Sequence, residues 1–163
     1  MLKKKNEYGD LDFRGAFDAV LLCEVMEHVA HPDQFMIKVG QLLKPGGIAV
    51  MTTPNGLYFK NSLPRFSNCP DPAVFESVQF RPDSDGHIFL LWPDEVRRIA
   101  AQSELQIEKQ VFFTVDEWPY EDPPFLSAVP QSWMWLVEKT ARRLPILLQE
   151  RLMVHTADFR KPS

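Results

Sequence analysis

The segment LLCEVMEHV, residues 21–29, places two glutamates and a histidine directly behind a run of apolar residues. Glu27 and His28 follow Glu24 by three and four residues, so a helical turn would bring all three side chains to one face. Carboxylates bind hard cations such as Mg²⁺, and an imidazole can join them around Mn²⁺ or Zn²⁺. The residue types and spacing therefore indicate a candidate divalent-metal site.

A purely structural interpretation of this cluster is equally consistent with the sequence. A glutamate such as Glu27 stabilises the N-terminus of a helix through the helix dipole. An imidazole such as that of His28 can donate a hydrogen bond to a backbone carbonyl. The metal-binding and structural interpretations both stay open at this point.

The elements around the cluster predict a parallel βαβ unit. The apolar run at 17–25 is typical of a strand buried on both faces, and Cys23 within it is expected to be a small core residue. Pro32 suits the first position of a helix, which the segment Lys44–Gly47 should end. A second apolar strand follows at 48–53. Parallel strands joined by a helix place the cluster at the carboxyl end of the first strand.

The rest of the chain alternates irregular segments with regular ones. Pro93 should open a helix, and the stretch from 132 to 152 has a helical pattern interrupted at Pro145. His155 is expected on an edge strand, in the core or at the surface, and His31 at the surface. The other predicted segments are a loop over 57–90 with a short helix near 74–80, a strand over 105–113, a surface excursion over 116–131 and a last strand over 153–160.

The whole chain has the composition of an ordinary globular domain. Its 163 residues are 45% apolar and 25% charged, which predicts one domain with a substantial core. The net charge of −4 offers no attraction for nucleic acid or anionic membranes. Because two cysteines cannot build a disulfide framework and no apolar stretch approaches about 18 residues, we expect a cytoplasmic protein without a membrane span.

Several short motifs, in this order and at this spacing, resemble one family. The chain is similar to the class I S-adenosylmethionine-dependent methyltransferases, in particular to ubiquinone-biosynthesis-type O-methyltransferases. The resemblance is clear over residues 8–56, fair over 86–113 and faint beyond. Its carriers are the Phe17-Asp18 strand opening, Glu24-Val25-Met26-Glu27-His28-Val29, the helix stop Leu42-Leu43-Lys44-Pro45-Gly46-Gly47, Thr53-Pro54-Asn55 and the terminal ADFRKPS.

The resemblance implies an α/β, Rossmann-like fold in which the predicted strands are the family's fourth to seventh, the seventh being antiparallel. It assigns Asp10 and Leu11 to the turn that contacts the cofactor adenine, and Cys23 to the strand end that lies along S-adenosylmethionine. It also divides the single domain, residues 1–163, into a cofactor-side βαβ core (1–56), a loop or lid (57–92), a helix and strand (93–113), and C-terminal helices with the closing strand (114–163).

The chain departs from the family at its Gly-rich turn. Backbone amides of such a turn approach the cofactor closely, yet no Gly-x-Gly occurs in this sequence. The resemblance therefore implies a C-terminal portion of the fold, truncated before the Gly-rich turn. A truncated gene product, a split enzyme and a degenerate subunit all stay open.

The resemblance also bears on the metal. Some ubiquinone-type and small-RNA 2′-O-methyltransferases use a Glu-x-x-Glu-His set for a divalent ion, and the small-RNA type adds a later histidine. By this resemblance the ligands would be Glu24, Glu27, His28 and His87, with an ion such as Mg²⁺. Many methyltransferases carry the same motif without a metal.

The expected function is S-adenosylmethionine-dependent methyl transfer to a small-molecule acceptor, as O-methylation, by this chain or by an enzyme of which it is the C-terminal half. The alternative is a non-catalytic, methyltransferase-like subunit that pairs its sheet edge with another chain or with itself. A nicotinamide dehydrogenase is disfavoured, since nothing resembles its Gly-rich turn. Aromatic residues that could either line an acceptor pocket or belong to the core are Trp92, Phe112, Phe113, Trp118 and Tyr120.

Overall fold

The computed structural model describes residues 13–69, 71, 74, 86–113, 133, 136, 139–141 and 143–163. Within these residues a mixed four-stranded sheet combines with helices, which confirms the predicted α/β class. Short 3₁₀ turns lie at Met26–His28 and Phe66–Asn68. The main elements are β1 (Phe17–Cys23), α1 (Pro32–Leu42), β2 (Leu43–Pro54), α2 (Pro93–Gln102), β3 (Gln106–Phe113), α3 (Ile146–Gln149) and β4 (Val154–Arg160).

The β1–α1–β2 unit forms largely as the sequence predicts. α1 begins at Pro32, where the missing proline N–H leaves no helical hydrogen bond unmade. It buries Met36 and Val39 and ends at Leu42. β2 starts earlier than the predicted residue 48, because Leu43 already pairs with β1. The helix stop is thus confirmed, and its residues enter the strand directly.

The sheet has the order β1-β2-β4-β3. β1 and β2 are parallel, and β4 runs antiparallel to both β2 and β3. The parallel βαβ unit and the antiparallel last strand are therefore confirmed. The prediction that His155 lies on an edge strand is wrong, because β4 is inserted between β2 and β3 and both of its edges are paired.

One face of the sheet carries the hydrophobic core. Burial alternates along β2, as expected for a strand whose one face is covered by helices. α1 and α2 supply that cover, which places the carboxyl ends of β1 and β2 on a fixed scaffold. The cluster of buried residues includes Leu22, Met36, Val39, Ala49, Met51, Val96, Ile99, Ala157 and Phe159.

The burial predicted for β1 is wrong within the described part of the chain. Leu22 is buried, whereas Leu21 is 69% exposed and Cys23 is exposed rather than in the core. The apolar run predicted cover on both faces. Among the described elements, however, only β2 pairs with β1, and the helices cover one face.

The connections follow the prediction wherever they are described. Residues 57–69 and 86–92 contain turns and extended chain apart from one 3₁₀ turn. Residues 133, 136 and 139–141 are helical, and α3 starts anew after Pro145, so the helical pattern is interrupted as predicted. The predicted helix near 74–80 lies almost entirely outside the described residues, and so does the excursion over 116–131. Among the helices described, none is long and apolar enough to cross a bilayer.

Candidate functional site

The candidate site lies where the parallel strands β1 and β2 end. Glu24 follows β1 with a φ of +52°, a left-handed conformation that glutamate rarely adopts. Its backbone N–H donates to the Thr52 carbonyl of β2 at 3.0 Å, which holds the turn against the sheet. The 3₁₀ turn Met26–His28 comes next and carries two of the predicted site residues.

Glu27 is the buried centre of this site, with 0% of its surface exposed. Its Oε2 accepts a hydrogen bond of 3.0 Å from the Thr53 hydroxyl. No hydrogen-bond donor among the described residues reaches its Oε1. A buried polar atom without a partner is energetically unfavourable, so Oε1 is a position where a water molecule, an ion or a ligand would be stabilised.

Two imidazoles face this open oxygen. Nε2 of His28 and Nε2 of His87 each lie 3.9 Å from Oε1 of Glu27. The Nδ1 of His28 lies 2.9 Å from the Gly86 carbonyl, and because a carbonyl can only accept, this nitrogen must be the donor. In a neutral ring the Nε2 of His28 is then the nitrogen with a free lone pair. The Ile88 N–H donates to the Glu27 carbonyl at 2.9 Å, so the segment carrying His87 is fixed to the turn.

The electrostatic environment of Glu27 is unfavourable for its charged form. The pKa of Glu27 is raised from 4.5 to about 7, chiefly because the carboxyl is buried and also because the negative charge of Glu24 lies nearby. Hydrogen bonds from its own backbone N–H and from the Thr53 hydroxyl lower the pKa but do not offset these effects. A cation beside this carboxyl would favour its anion.

The structure brings together three of the four predicted metal ligands. One potential ligand atom from each of Glu27, His28 and His87 lies within 4.8 Å of the others. Glu24 does not belong to this group of three. The predicted helical alignment does not form, because Glu24 is in a left-handed turn and the 3₁₀ helix begins only at Met26. Its carboxylate still acts on Glu27 through its charge.

The positions assigned to the cofactor are described only in part. Cys23 is exposed at the carboxyl end of β1, on the edge that has no strand partner in the described residues. The resemblance places Cys23 at the strand end along S-adenosylmethionine, and this assignment stays a prediction. Asp10 and Leu11 lie outside the described residues.

The predicted aromatic residues divide between the core and the loop. Phe112 is fully buried and its ring stacks on His155, so it belongs to the core. Trp92 is half-buried, and the Arg65 guanidinium lies over its ring, 4.2 Å from the centroid. Trp118 and Tyr120 fall outside the described residues.

Two further groups of the site have no role in the sequence prediction. The Thr53 hydroxyl holds Glu27, and the Gly86 carbonyl holds His28. A hydroxyl residue at the end of β2, beside the Glu-x-x-Glu-His strand end, is a signal that could have identified Thr53. Gly86 acts through its backbone carbonyl, which every residue type carries, so the sequence gives no comparable signal for its role.

The distances from Oε1 of Glu27 to the two imidazoles can be compared with those around a bound cation. Ions such as Zn²⁺ bind imidazole nitrogen and carboxylate oxygen at about 2.0–2.2 Å, so two atoms that share an ion lie up to about 4.3 Å apart. The distance of 3.9 Å between Oε1 and each Nε2 is within that limit and too long for a direct hydrogen bond.

Comparisons with solved structures and with a family model identify the fold and the protein family. The fold is similar to that of a S-adenosylmethionine-dependent methyltransferase from Mesorhizobium loti, with a TM-score of 0.53 and 15% identity, over 93% of this chain and 67% of that one. A family model described as a methyltransferase domain matches residues 3–110, more than half of the chain. The chain therefore belongs to the S-adenosylmethionine-dependent methyltransferase family, with the Rossmann-like class I fold.

Sequence relatives match over a short segment. The ubiquinone biosynthesis O-methyltransferase of Caulobacter vibrioides is 54% identical over 41 residues, which cover 25% of this chain and 16% of that enzyme. The enzyme of the same name from Roseobacter denitrificans is 56% identical over 39 residues, which cover 24% of this chain and 16% of that enzyme. Each match thus spans about a sixth of the relative's own length.

Proposed function

We propose that this chain takes part in methyl transfer from S-adenosylmethionine to a hydroxyl oxygen of a small-molecule acceptor, beside a divalent cation held by Glu27, His28 and His87. The observation that carries the cation is the buried Oε1 of Glu27, which lacks a donor among the described residues and faces two imidazole nitrogens at 3.9 Å. The relatives named as O-methyltransferases support oxygen as the atom that is methylated.

The rate of this reaction depends more on the orientation of the reactants than on any single catalytic side chain. S-adenosylmethionine supplies a methyl group on a positively charged sulfur, and transfer to a hydroxyl is an in-line displacement in which the acceptor proton must leave. Correct orientation contributes about 7–11 kcal/mol to such a reaction, whereas a general base contributes about 10²–10⁴-fold. Positioning therefore dominates, and a site without an obvious base is consistent with this reaction.

The residues of the cluster would orient and polarise the acceptor. A divalent cation supplies positive charge that lowers the pKa of a nearby hydroxyl. Glu27 would hold it through one carboxylate oxygen, and His28 and His87 through their Nε2 atoms. Glu24, whose carboxylate already acts on Glu27, is a further candidate ligand on the exposed side of the turn.

The test is methyl transfer from S-adenosylmethionine to a panel of small hydroxyl compounds, measured with excess chelator and after re-addition of Mg²⁺ or Mn²⁺. We expect chelator to abolish turnover, metal to restore it, and E27Q and H87A to raise the metal concentration needed. E95Q is the matched control, because Glu95 is equally buried but lies on α2, outside the cluster. Undiminished turnover in chelator would contradict the cation, and the absence of oxygen methylation would contradict the reaction.

A second candidate function follows from the exposure of β1. Phe17 is 41% and Leu21 69% exposed on a strand whose outer edge has no partner among the described residues. Such an edge favours pairing with another strand. A methyltransferase-like subunit that pairs this edge with another chain would use the same fold without its own catalysis. Sedimentation of the chain distinguishes association at this edge from a monomer.

A further inference from the structure

We infer that Thr53 is a positioning residue, which determines which oxygen of Glu27 faces His28 and His87. This inference rests on the proposed cation site and adds a residue that the ligand set does not contain. The Thr53 hydroxyl donates to Oε2 of Glu27 at 3.0 Å, and both residues are completely buried. Because Oε2 is engaged, Oε1 is the oxygen directed at the two imidazoles.

Thr53 is held rigidly enough for this role. β2 is paired on both sides, and Thr53 itself lies opposite His155 of β4. The adjacent carbonyl, that of Thr52, accepts the Glu24 N–H that begins the turn toward Glu27. A β-branched side chain also has few rotamers in such a strand. The hydroxyl therefore lies at a fixed position relative to the turn that carries Glu27.

A glutamate carboxyl needs hydrogen-bond donors to fix which of its two oxygens faces a ligand. The terminal torsion of a glutamate is broad and roughly two-fold, so without an external donor its two oxygens would exchange places or rotate out of line. Partners of this kind orient metal ligands in proteins, and their loss typically weakens metal binding by about 10–100-fold. Thr53 is the side-chain donor that limits this freedom at Glu27, beside the N–H of Glu27's own backbone.

Mn²⁺ binding tests the inference without any acceptor or turnover. Free Mn²⁺ is titrated by its paramagnetic resonance signal against wild type, T53V, T53S and T52V, with folding checked by circular dichroism. T53V keeps the shape of the side chain and removes the donor, whereas T53S keeps the donor. T52V is the matched control, since Thr52 is the neighbouring residue of β2 and is half-buried on its other face.

We expect T53V to weaken Mn²⁺ binding at least tenfold, with T53S within about threefold of wild type and T52V unchanged. A folded T53V that binds Mn²⁺ like wild type would overturn the inference and leave the cation site intact. If T53V does not fold, T53A carries the same expectation. A folded wild type that binds no Mn²⁺ would instead overturn the cation site itself. A purely structural threonine would lower the melting temperature of T53V without changing Mn²⁺ affinity.

Discussion

At the scale of single residues, Glu27 and His155 are both buried groups whose surroundings disfavour the charged form. Burial raises the pKa of Glu27 to about 7, above its ordinary value of 4.5. Burial, with the positive charge of Arg97, lowers the pKa of His155 from 6.5 to about 4. The two groups therefore link stability to pH in opposite directions.

For Glu27 the folded state binds its proton more tightly than the unfolded state. The protonated Glu27 contributes about 3 kcal/mol to the free energy of unfolding below pH 4.5. This contribution is lost as the pH rises to about 7. We expect E27Q to be more stable than wild type at pH 8 in chelator, by about 1–3 kcal/mol, and nearly equal at pH 4.5. Urea denaturation at both pH values measures this difference. A destabilised E27Q at pH 8 would contradict it.

For His155 the unfolded state binds the proton more tightly. The contribution of neutral His155 to the free energy of unfolding is fully present above pH 6.5. It falls by about 3 kcal/mol as the pH drops toward about 4. H155Q should lose most of this pH dependence, although loss of the Phe112 stack should lower its stability at pH 7. Denaturation at pH 7 and pH 4.5 measures the change. H31Q, which removes an exposed imidazole, is the control. The prediction would be contradicted if the free energy of unfolding of H155Q changed between pH 7 and pH 4.5 as much as that of wild type.

At the scale of elements, Asn55 connects the end of β2 to the segment between α3 and β4. Its Nδ2 donates to the carbonyls of Glu150 and Leu152 at 2.7 and 2.6 Å, and its Oδ1 accepts from the Leu57 N–H at 3.0 Å. Asn55 itself is completely buried, and the groups that it binds belong to half-buried residues. The residue holds two distant parts of the chain beside the strand end.

We expect N55A to lower the free energy of unfolding by about 2–3 kcal/mol, because it removes the three hydrogen bonds that this buried side chain makes. Asn68 is exposed, so the free energy of unfolding of the control N68A should lie within about 0.5 kcal/mol of the wild-type value. Urea denaturation of both variants at pH 7 provides the measurement. A loss below about 1 kcal/mol in N55A would show that the connection forms without this side chain.

At the scale of the whole molecule, we expect the outer edge of β1 to determine whether the chain self-associates. Its apolar residues are exposed and its outer backbone groups have no partner within the described residues. We expect reversible self-association in sedimentation, which L21K should weaken, because a charge on an edge strand opposes pairing. L147K is the matched control, since Leu147 is 73% exposed on α3. A wild-type monomer at high concentration would contradict this prediction.

The cofactor site also belongs to the whole molecule. The printed sequence contains no Gly-x-Gly turn, and Cys23 is the one assigned cofactor residue that the structure describes. Because backbone amides of a Gly-rich turn normally approach the cofactor closely, we expect this chain to bind S-adenosylmethionine more weakly than micromolar. Isothermal titration calorimetry measures the affinity. A micromolar dissociation constant would show that the residues present suffice.

The sequence by itself determined the regular elements and their type. Proline at the first helical position, the glycine-rich helix stop and the apolar strand runs act over a few residues, so α1, α2 and the strands could be located from local pattern. The family motifs added the antiparallel last strand. They also indicated Glu24, Glu27, His28 and His87 as candidate ligands, of which the structure brings the last three together.

Only the tertiary structure decided which of these residues meet. Thr53 reaches Glu27 across 26 residues of chain, and the Gly86 carbonyl reaches His28 across 58. Insertion of β4 between β2 and β3 made His155 a core residue, and the missing outer neighbour in the described sheet left β1 exposed. The periodicity of apolar residues along the sequence indicates which residues share one face of a helix or strand. It does not record which distant element packs against it, and that packing determines burial, pKa and ligand geometry.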